Sequence, residues 1–452
     1  MSSSAAELVA RAAEEAPKPR RGLRAVVQSI GSKAAILGLQ AATGILTART
    51  LGPSGRGELA AMIVWPLFVA SITTLGVPSS VIYHLRRCPE ERERLIANGF
   101  LLAAVMGTLA AVACAMILPW WLRQYSRRVV YAADWFLVTV PICSITLVGR
   151  AVLEGSHDFS ASNAIQTLTP FATLLGLLAF LAAHRMNPYT AAIAYIAASV
   201  PAFWLMMRRV RQTGTSSFRI HGSIIRTLLN YGIRSYGIDI LGTLALQVDQ
   251  VLVVSLLAPS AMGSYVVVLS LSRMLNLFQN SVVMVLFPKA AGLSKEDAVC
   301  MTGDAARISG LATATCSVFV CLAGPTLLHI LYGQEYVAGV GALRILVVEV
   351  ILAGATFVLA QAYMALNRPE VVTILQAAGL SLCVPMMLWL IPRYGIYGAA
   401  ASLLTSTIAR FLFVYAGFRV FLKANPPDLL PKVRDLRMLL ITVSALRLER
   451  AQ

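Results

Sequence analysis

The sequence predicts an all-α, polytopic membrane protein: about twelve transmembrane helices in two pseudo-symmetric six-helix lobes around a central cavity. Three observations carry that expectation. Of 452 residues, 58% are hydrophobic and only 13% charged, against roughly 25% charged in a soluble domain. The apolar residues fall in blocks of about 20 or more, enough to cross roughly 30 Å of hydrocarbon at 1.5 Å per residue. The second half of the chain also repeats punctuation found in the first. Short alternating segments, the mark of a membrane barrel, do not occur.

Residues 1–25 are polar and lack the apolar core of a signal peptide, so they read as a cytoplasmic segment. Gly, Pro and Arg then divide the apolar blocks. The first half holds spans near Val26–Ala48, Leu59–Leu85, Ile96–Pro119, Val130–Val148, Ala161–Ala183 and Thr190–Met207. After a basic connection come Leu229–Leu256, Ser264–Leu286, Ile308–Leu331, Ala342–Leu366, Val371–Ile391 and Gly398–Phe418. Pro66, Pro141, Pro170, Pro201 and Pro385 fall inside spans and mark bends, since neighbouring helices in a bundle can satisfy the carbonyls they free. Most of the seven cysteines sit in apolar blocks without Cys-x-x-Cys spacing, and read as packing residues rather than metal ligands or disulfides.

Loops that stay in the cytoplasm carry excess Lys and Arg. With the N-terminus inside, 26 of the 38 basic residues fall in cytoplasmic segments and 7 in opposite loops. Both termini are therefore expected in the cytoplasm. The net charge of +17 is explained by basic loops against anionic headgroups, without nucleic acid. The connection at 208–228 separates residues 26–207, spans one to six, from residues 229–418, spans seven to twelve, with 419–452 as a cytoplasmic or interfacial tail. A shift of 206 positions matches Ser29 with Ser235, Gly31 with Gly237, Leu46 with Leu252, Leu51 with Leu257, Pro53 with Pro259, Ser54 with Ser260 and Gly57 with Gly263. An even-numbered repeat keeps both lobes in one topology, related by an axis along the membrane normal with a cavity between them.

Charges inside spans each cost about 2.5–3.5 kcal/mol on insertion scales and usually face protein or water. In the repeat register Lys33 aligns with Asp239, each about 10 Å from the cytoplasmic face by helical rise. Either both face the shared cavity or each snorkels to the nearer interface. Arg273, Asn276 and Asn280 are spaced to share one face of the eighth span, with Arg273 near mid-membrane. A guanidinium suits a pyrophosphate and amides suit sugar hydroxyls, although such a stripe also serves as a polar clasp between helices. Arg410 in the twelfth span and Arg234 beside Tyr236 are read as cavity cations or internal ion pairs. Arg344 and Glu349 flank the outer start of the tenth span. Asp249, towards the outer end of the seventh, is a structural cap or an ion-coupling group.

No Gly-rich phosphate loop followed by Lys and Ser or Thr is present, and the five histidines are scattered. No catalytic triad or metal spacing can be assembled, so no enzyme activity, metal or cofactor is expected.

The stretch ARTLGPSGRGELA, Ala48–Ala60, resembles the first loop of Wzx-type polysaccharide flippases. VDQVLVVSLLAPSAMGSYVVVLSLSRM, Val248–Met274, resembles that family's seventh and eighth helices, in which an Asp is followed by an apolar run, a short loop and Gly-x-Tyr; here these are Asp249, Gly263 and Tyr265. VLFPKAAG, Val285–Gly292, resembles the end of its helix eight. The resemblance implies two six-helix lobes, a cationic cavity and alternating access for an undecaprenyl-pyrophosphate-linked oligosaccharide. The setting would be the bacterial inner membrane, in lipopolysaccharide or exopolysaccharide assembly, with a glycan polymerase as a possible partner.

An ion-coupled multidrug exporter and a lipid II flippase of the same superfamily are the competing readings. The exporter would need an acidic, aromatic-lined cavity, whereas the mid-depth charges lean basic. A lipid II flippase would have fourteen helices, and the nine residues Met438–Leu446 cannot cross; they read as an interfacial helix or the start of a further span. A non-transporting scaffold has little reason to keep intramembrane charges.

Overall fold

The computed structural model describes residues 19–212, 220–290 and 292–429. Residues 1–18, residues 213–219 of the connection with Ser216, residue 291 and the tail from 430, including Met438–Leu446, lie outside the described residues. Every regular element among the described residues is a helix. The first span is α1, residues 19–51, and the second begins with α2, residues 53–72. Between them Gly52 takes φ 66° and ψ 179°, a conformation open essentially only to glycine, so helical geometry breaks there and α1 and α2 are separate helices.

The second span is completed by α3 (Val77–Arg87), and the third is α4 (Arg92–Trp121). The fourth comprises α5 (Arg127–Phe136) and α6 (Val140–Gly155). The fifth is α7 (Phe159–Ala182), and the sixth joins α8 (Pro188–Ala197) to α9 (Ser199–Gln212). In the second half follow α10 (Gly222–Leu256), α11 (Pro259–Arg273) with α12 (Asn276–Ala290), α13 (Lys295–Leu331) and α14 (Val340–Ala365). The last two are α15, residues 369–394, and α16, residues 396–420, divided at Gly395 with φ 57°. Nine described helices are long and apolar enough to cross a membrane as single runs. Two of those runs hold two crossings each, and the eighth crossing is split between α11 and α12, which yields the twelve expected.

Starts of helices follow local chemistry. Ser126, Asp158, Asn187 and Ser294 each accept a hydrogen bond from a backbone N–H in the first turn of α5, α7, α8 and α13, satisfying donors that have no intrahelical partner. The prolines divide into two groups. Pro141 and Pro201 sit in the first turns of α6 and α9, just past breaks at 137–139 and Ala198, where a missing N–H costs nothing. Pro66, Pro170 and Pro385 are carried inside continuous helix.

The two halves meet along a reciprocal contact at the Gly52 end of the bundle. A Cβ on Gly57 would lie 1.7 Å from the Pro259 carbonyl oxygen, and one on Gly263 would lie 1.9 Å from that of Pro53. Pro53 and Pro259, like Gly57 and Gly263, are 206 residues apart. Residue i of one half thus meets j of the other while j meets i, the pattern a two-fold axis imposes. Around this clasp Arg49 donates from Nε to the Leu331 carbonyl at 2.9 Å and from its terminal nitrogen to that of Ile330, capping the end of α13. The Tyr336 hydroxyl donates to the Ala48 carbonyl at 3.2 Å.

Towards the other end, Cβ atoms on Gly31 and Gly38 of α1 and on Gly237 and Gly242 of α10 would meet nothing within 4 Å. The beginning of α10 instead joins the first half. Ile224 and Leu228 are buried in one cluster with Val81, Ile96 and Val148, and the rings of Tyr83 and Tyr231 stack at 4.4 Å. At the break in the second span, Gly76 (φ 72°) brings its backbone against Gly232 so closely that a Cβ would lie 2.2 Å from the Gly232 carbonyl oxygen.

Candidate functional site

Where α1 faces α10 and α11, the halves leave a cavity of about 220 Å³ walled by Gln40 and Gly44, by Gln250, by Ser270 and Arg273, and by Tyr332 beyond α13. Gly44 and Gln250 are again 206 residues apart, so the wall is built from equivalent places in the two halves. Both supply small or neutral polar groups, and the charge comes from α11.

Arg273 is held from behind. One terminal nitrogen lies 2.9 Å from Asp249 Oδ2 and the other donates to the Leu246 carbonyl at 3.0 Å. Asp249, 1% exposed, also accepts from the Tyr265 hydroxyl at 2.9 Å. Both bonds fall on Oδ2, and Oδ1 is buried without a partner among the described residues. Asp249 therefore anchors Arg273, as an internal ion pair that reaches the cavity wall. The stripe expected on the eighth span is corrected: α11 ends at Arg273 and α12 starts at Asn276, with the turn Met274–Leu275 between. Arg273, Asn276 and Asn280 do not share one helical face, because that face requires uninterrupted 3.6-residue periodicity. Gln279, between the two asparagines, is buried at 2% exposure with its amide 2.8 Å from the Thr313 hydroxyl.

A second charged group lies deeper in the same half. Thr407 donates to Glu349 Oε1 at 2.7 Å and accepts from Arg410 at 3.0 Å. Gly379 makes room for that arginine, since a Cβ there would lie 2.3 Å from Arg410 Cδ. Glu349 is within electrostatic reach of both Arg410 and Arg273. Two carboxylates and two guanidiniums thus balance inside one half, each needing the others to be tolerable in a low dielectric. Arg410 belongs to this internal group, with its Nε buried and unpartnered among the described residues.

Lys33 and Arg234 are exposed, on α1 and α10. Asp239, also exposed, accepts from the Ser79 hydroxyl at 3.0 Å, across the contact between α3 and α10. Arg344 is exposed at the start of α14, separate from Glu349. Among the described residues no group of three or more His, Cys, Asp or Glu is placed to hold a metal.

One cation was not legible as a site residue. Arg56, counted from the sequence with the outer loop, lies in the first turn of α2 at 8% exposure, with Nε and one terminal nitrogen unpartnered among the described residues. It is within electrostatic reach of Tyr332, which lines the cavity, and of Tyr336. The available signal was Gly52-Pro53, a turn glycine followed by a helix-starting proline, which puts Arg56 on the span.

Residues 46–341, which hold the clasp, Arg56, the Asp249–Arg273 pair and Tyr332, match the model of a family described as polysaccharide biosynthesis protein. The chain belongs to that family. No curated protein matches the sequence. The chain is similar in structure to the lipid II flippase MurJ in an inward closed conformation, with a TM-score of 0.75 and 12% identity over 88% of each chain. It is also similar to an inward-facing multidrug resistance MATE transporter of the MOP superfamily, with a TM-score of 0.66 and 14% identity over 86% of this chain and 96% of that one. A MOP superfamily transporter from Pyrococcus furiosus gives 0.60 and 15% over 88% and 93%. The family member described here is thus a multi-pass membrane protein with a MOP-type transporter fold, as the span count predicts.

Proposed function

We propose that this protein translocates a saccharide linked through pyrophosphate to a polyprenyl lipid, by alternating closure of residues 26–207 and 229–418 about the cavity between them. The observation that carries the reading is Arg56: a buried guanidinium without an ion-pair partner among the described residues, within electrostatic reach of Tyr332 in the wall of the cavity that also holds a second guanidinium, Arg273. An uncompensated cation in a low-dielectric seam favours an anion. The planar fork of arginine matches phosphate oxygens. Family membership and the likeness to a lipid II flippase support the same substrate class.

A cationic drug fits this seam less well, since Asp249 is already engaged by Arg273 and Tyr265. In this reading the Gly52 end faces outwards, both termini are cytoplasmic, and the membrane is the bacterial inner membrane, where a glycan polymerase takes up the product. Lys33 and Arg234 act as weaker cations attracting substrate from the cytoplasmic side.

Deleting the gene from its host should abolish the surface glycan while the saccharide-linked lipid accumulates. Complementation with Arg56→Ala should restore less than about a tenth of the glycan at equal protein level, as expected for one charge-assisted contact. Normal surface glycan in the deletion strain would exclude the proposed role.

A further inference from the structure

A cavity within the first half is separate from the charged seam. It measures about 390 Å³ and lies between α1, α2, α6, α7, α8 and α9, within the range of small-molecule sites. Gln40 on α1 lines both this cavity and the one carrying Arg273. Ile36 faces the first and Leu37 the second, so α1 is a shared wall with an amide at its crossing point.

We propose that this cavity is a subsite for the uncharged sugar portion of the substrate, adjoining the anion site; the inference rests on the pyrophosphate-linked saccharide reading above. Its chemistry differs from that of the seam. Thr139, Thr146, Thr173 and Ser199 line it, and each spends its hydroxyl hydrogen on a carbonyl of its own helix turn, at 2.7, 2.7, 2.9 and 2.6 Å. Their oxygens keep lone pairs for a donor in the cavity.

Donors come from Gln40 and Gln166, whose side-chain amides make no hydrogen bond among the described residues. A sugar hydroxyl both donates and accepts, so a polyol can use both sets at once. The one charge at the rim is compensated: Arg150 lies 3.6 Å from Glu154, which also accepts from Ser162 at 2.7 Å. Neither an anion nor a cation finds an unpaired opposite charge here. Apolar walls and the Tyr195 ring suit the C–H faces of sugar rings.

The test uses purified protein in lipid nanodiscs and two probes: bare undecaprenyl pyrophosphate, and the saccharide-carrying lipid extracted from the deletion strain. In Gln166→Leu combined with Thr146→Val, affinity for the saccharide-carrying lipid should fall at least about tenfold, while the bare lipid binds within twofold of wild type. Cys143 also lines this cavity and supplies an independent reading that leaves the polar lining intact. With the other cysteines replaced by alanine, the saccharide-carrying lipid should slow its modification by a thiol reagent, and the bare lipid should not.

Protection by both lipids alike or by neither, or equal binding losses for both probes in the double variant, would overturn the subsite. Failure of wild-type protein to bind bare lipid, with Cys143 still protected by the saccharide form, would support the subsite and refute the pyrophosphate site.

Discussion

Arg273→Ala is expected to lower both the amount of protein and its melting temperature in detergent, because it strands Asp249. That carboxylate is 1% exposed and would keep Tyr265 as its remaining hydrogen-bond donor. Removing one partner of a buried pair is worth on the order of 3 kcal/mol. Arg273→Ala with Asp249→Asn should recover most of that loss, since a neutral amide needs no counter-charge. The double variant then separates folding from transport: it should accumulate normally yet export less than about a tenth of the glycan, lacking a cavity guanidinium worth a charge-assisted contact. Arg273→Lys should fall between, keeping a charge for Asp249 but losing the second arm that reaches the Leu246 carbonyl at 3.0 Å. An Arg273→Ala protein that melts like wild type would show that the pair does not hold the fold.

Gly57→Ala and Gly263→Ala should each cut export by more than about tenfold. The new methyl carbons would lie 1.7 and 1.9 Å from carbonyl oxygens of the opposite half, whereas even a favourable C–H···O contact needs roughly 3.3 Å. The neighbour is backbone at a helix start, so it can yield only if the halves separate. The seam should then open outwards. A cysteine at Ser260, exposed beside the clasp, should react faster with an impermeant thiol reagent added outside, in a background without native cysteines. Gly31→Ala is the control, because a Cβ there meets nothing within 4 Å, and it should export within twofold of wild type. Unchanged labelling in both clasp variants would mean that the contact is not part of the gate.

The crossings were legible because hydrophobic thickness sets block length, and the equivalence of Pro53 with Pro259 and of Gly57 with Gly263 was legible in the repeat, but their contact across the halves came only from packing. The turn at Met274–Leu275 was not, since neither residue is a helix breaker, and with it went the supposed face of Arg273, Asn276 and Asn280. The pairing of Arg273 with Asp249 was hidden by depth. Counted from the turn near Leu257, Arg273 lies about 10 Å deeper than Asp249 by helical rise. Side chains tilt towards the helix start, and the long guanidinium arm makes up that difference. Arg410 was singled out as an intramembrane charge and Thr407 stands three residues before it on α16, but Glu349, which Thr407 links to it, comes from packing of α16 on α14, which no spacing in the sequence announces. Arg56 was missed because loop and span were separated by hydropathy, which ignores Gly52-Pro53 as a helix start.

The central claim is movement of a pyrophosphate-bearing lipid, and translocation in proteoliposomes tests it most directly. Vesicles would carry a fluorescent undecaprenyl-pyrophosphate saccharide in one leaflet, and its arrival in the other would be read by an impermeant quencher. Wild-type protein should move the lipid well above the rate in protein-free vesicles, and Arg56→Ala should bring the rate close to that background. Transfer of the label no faster than in protein-free vesicles, by folded wild-type protein that moves a cationic dye across the same membrane, would contradict the account.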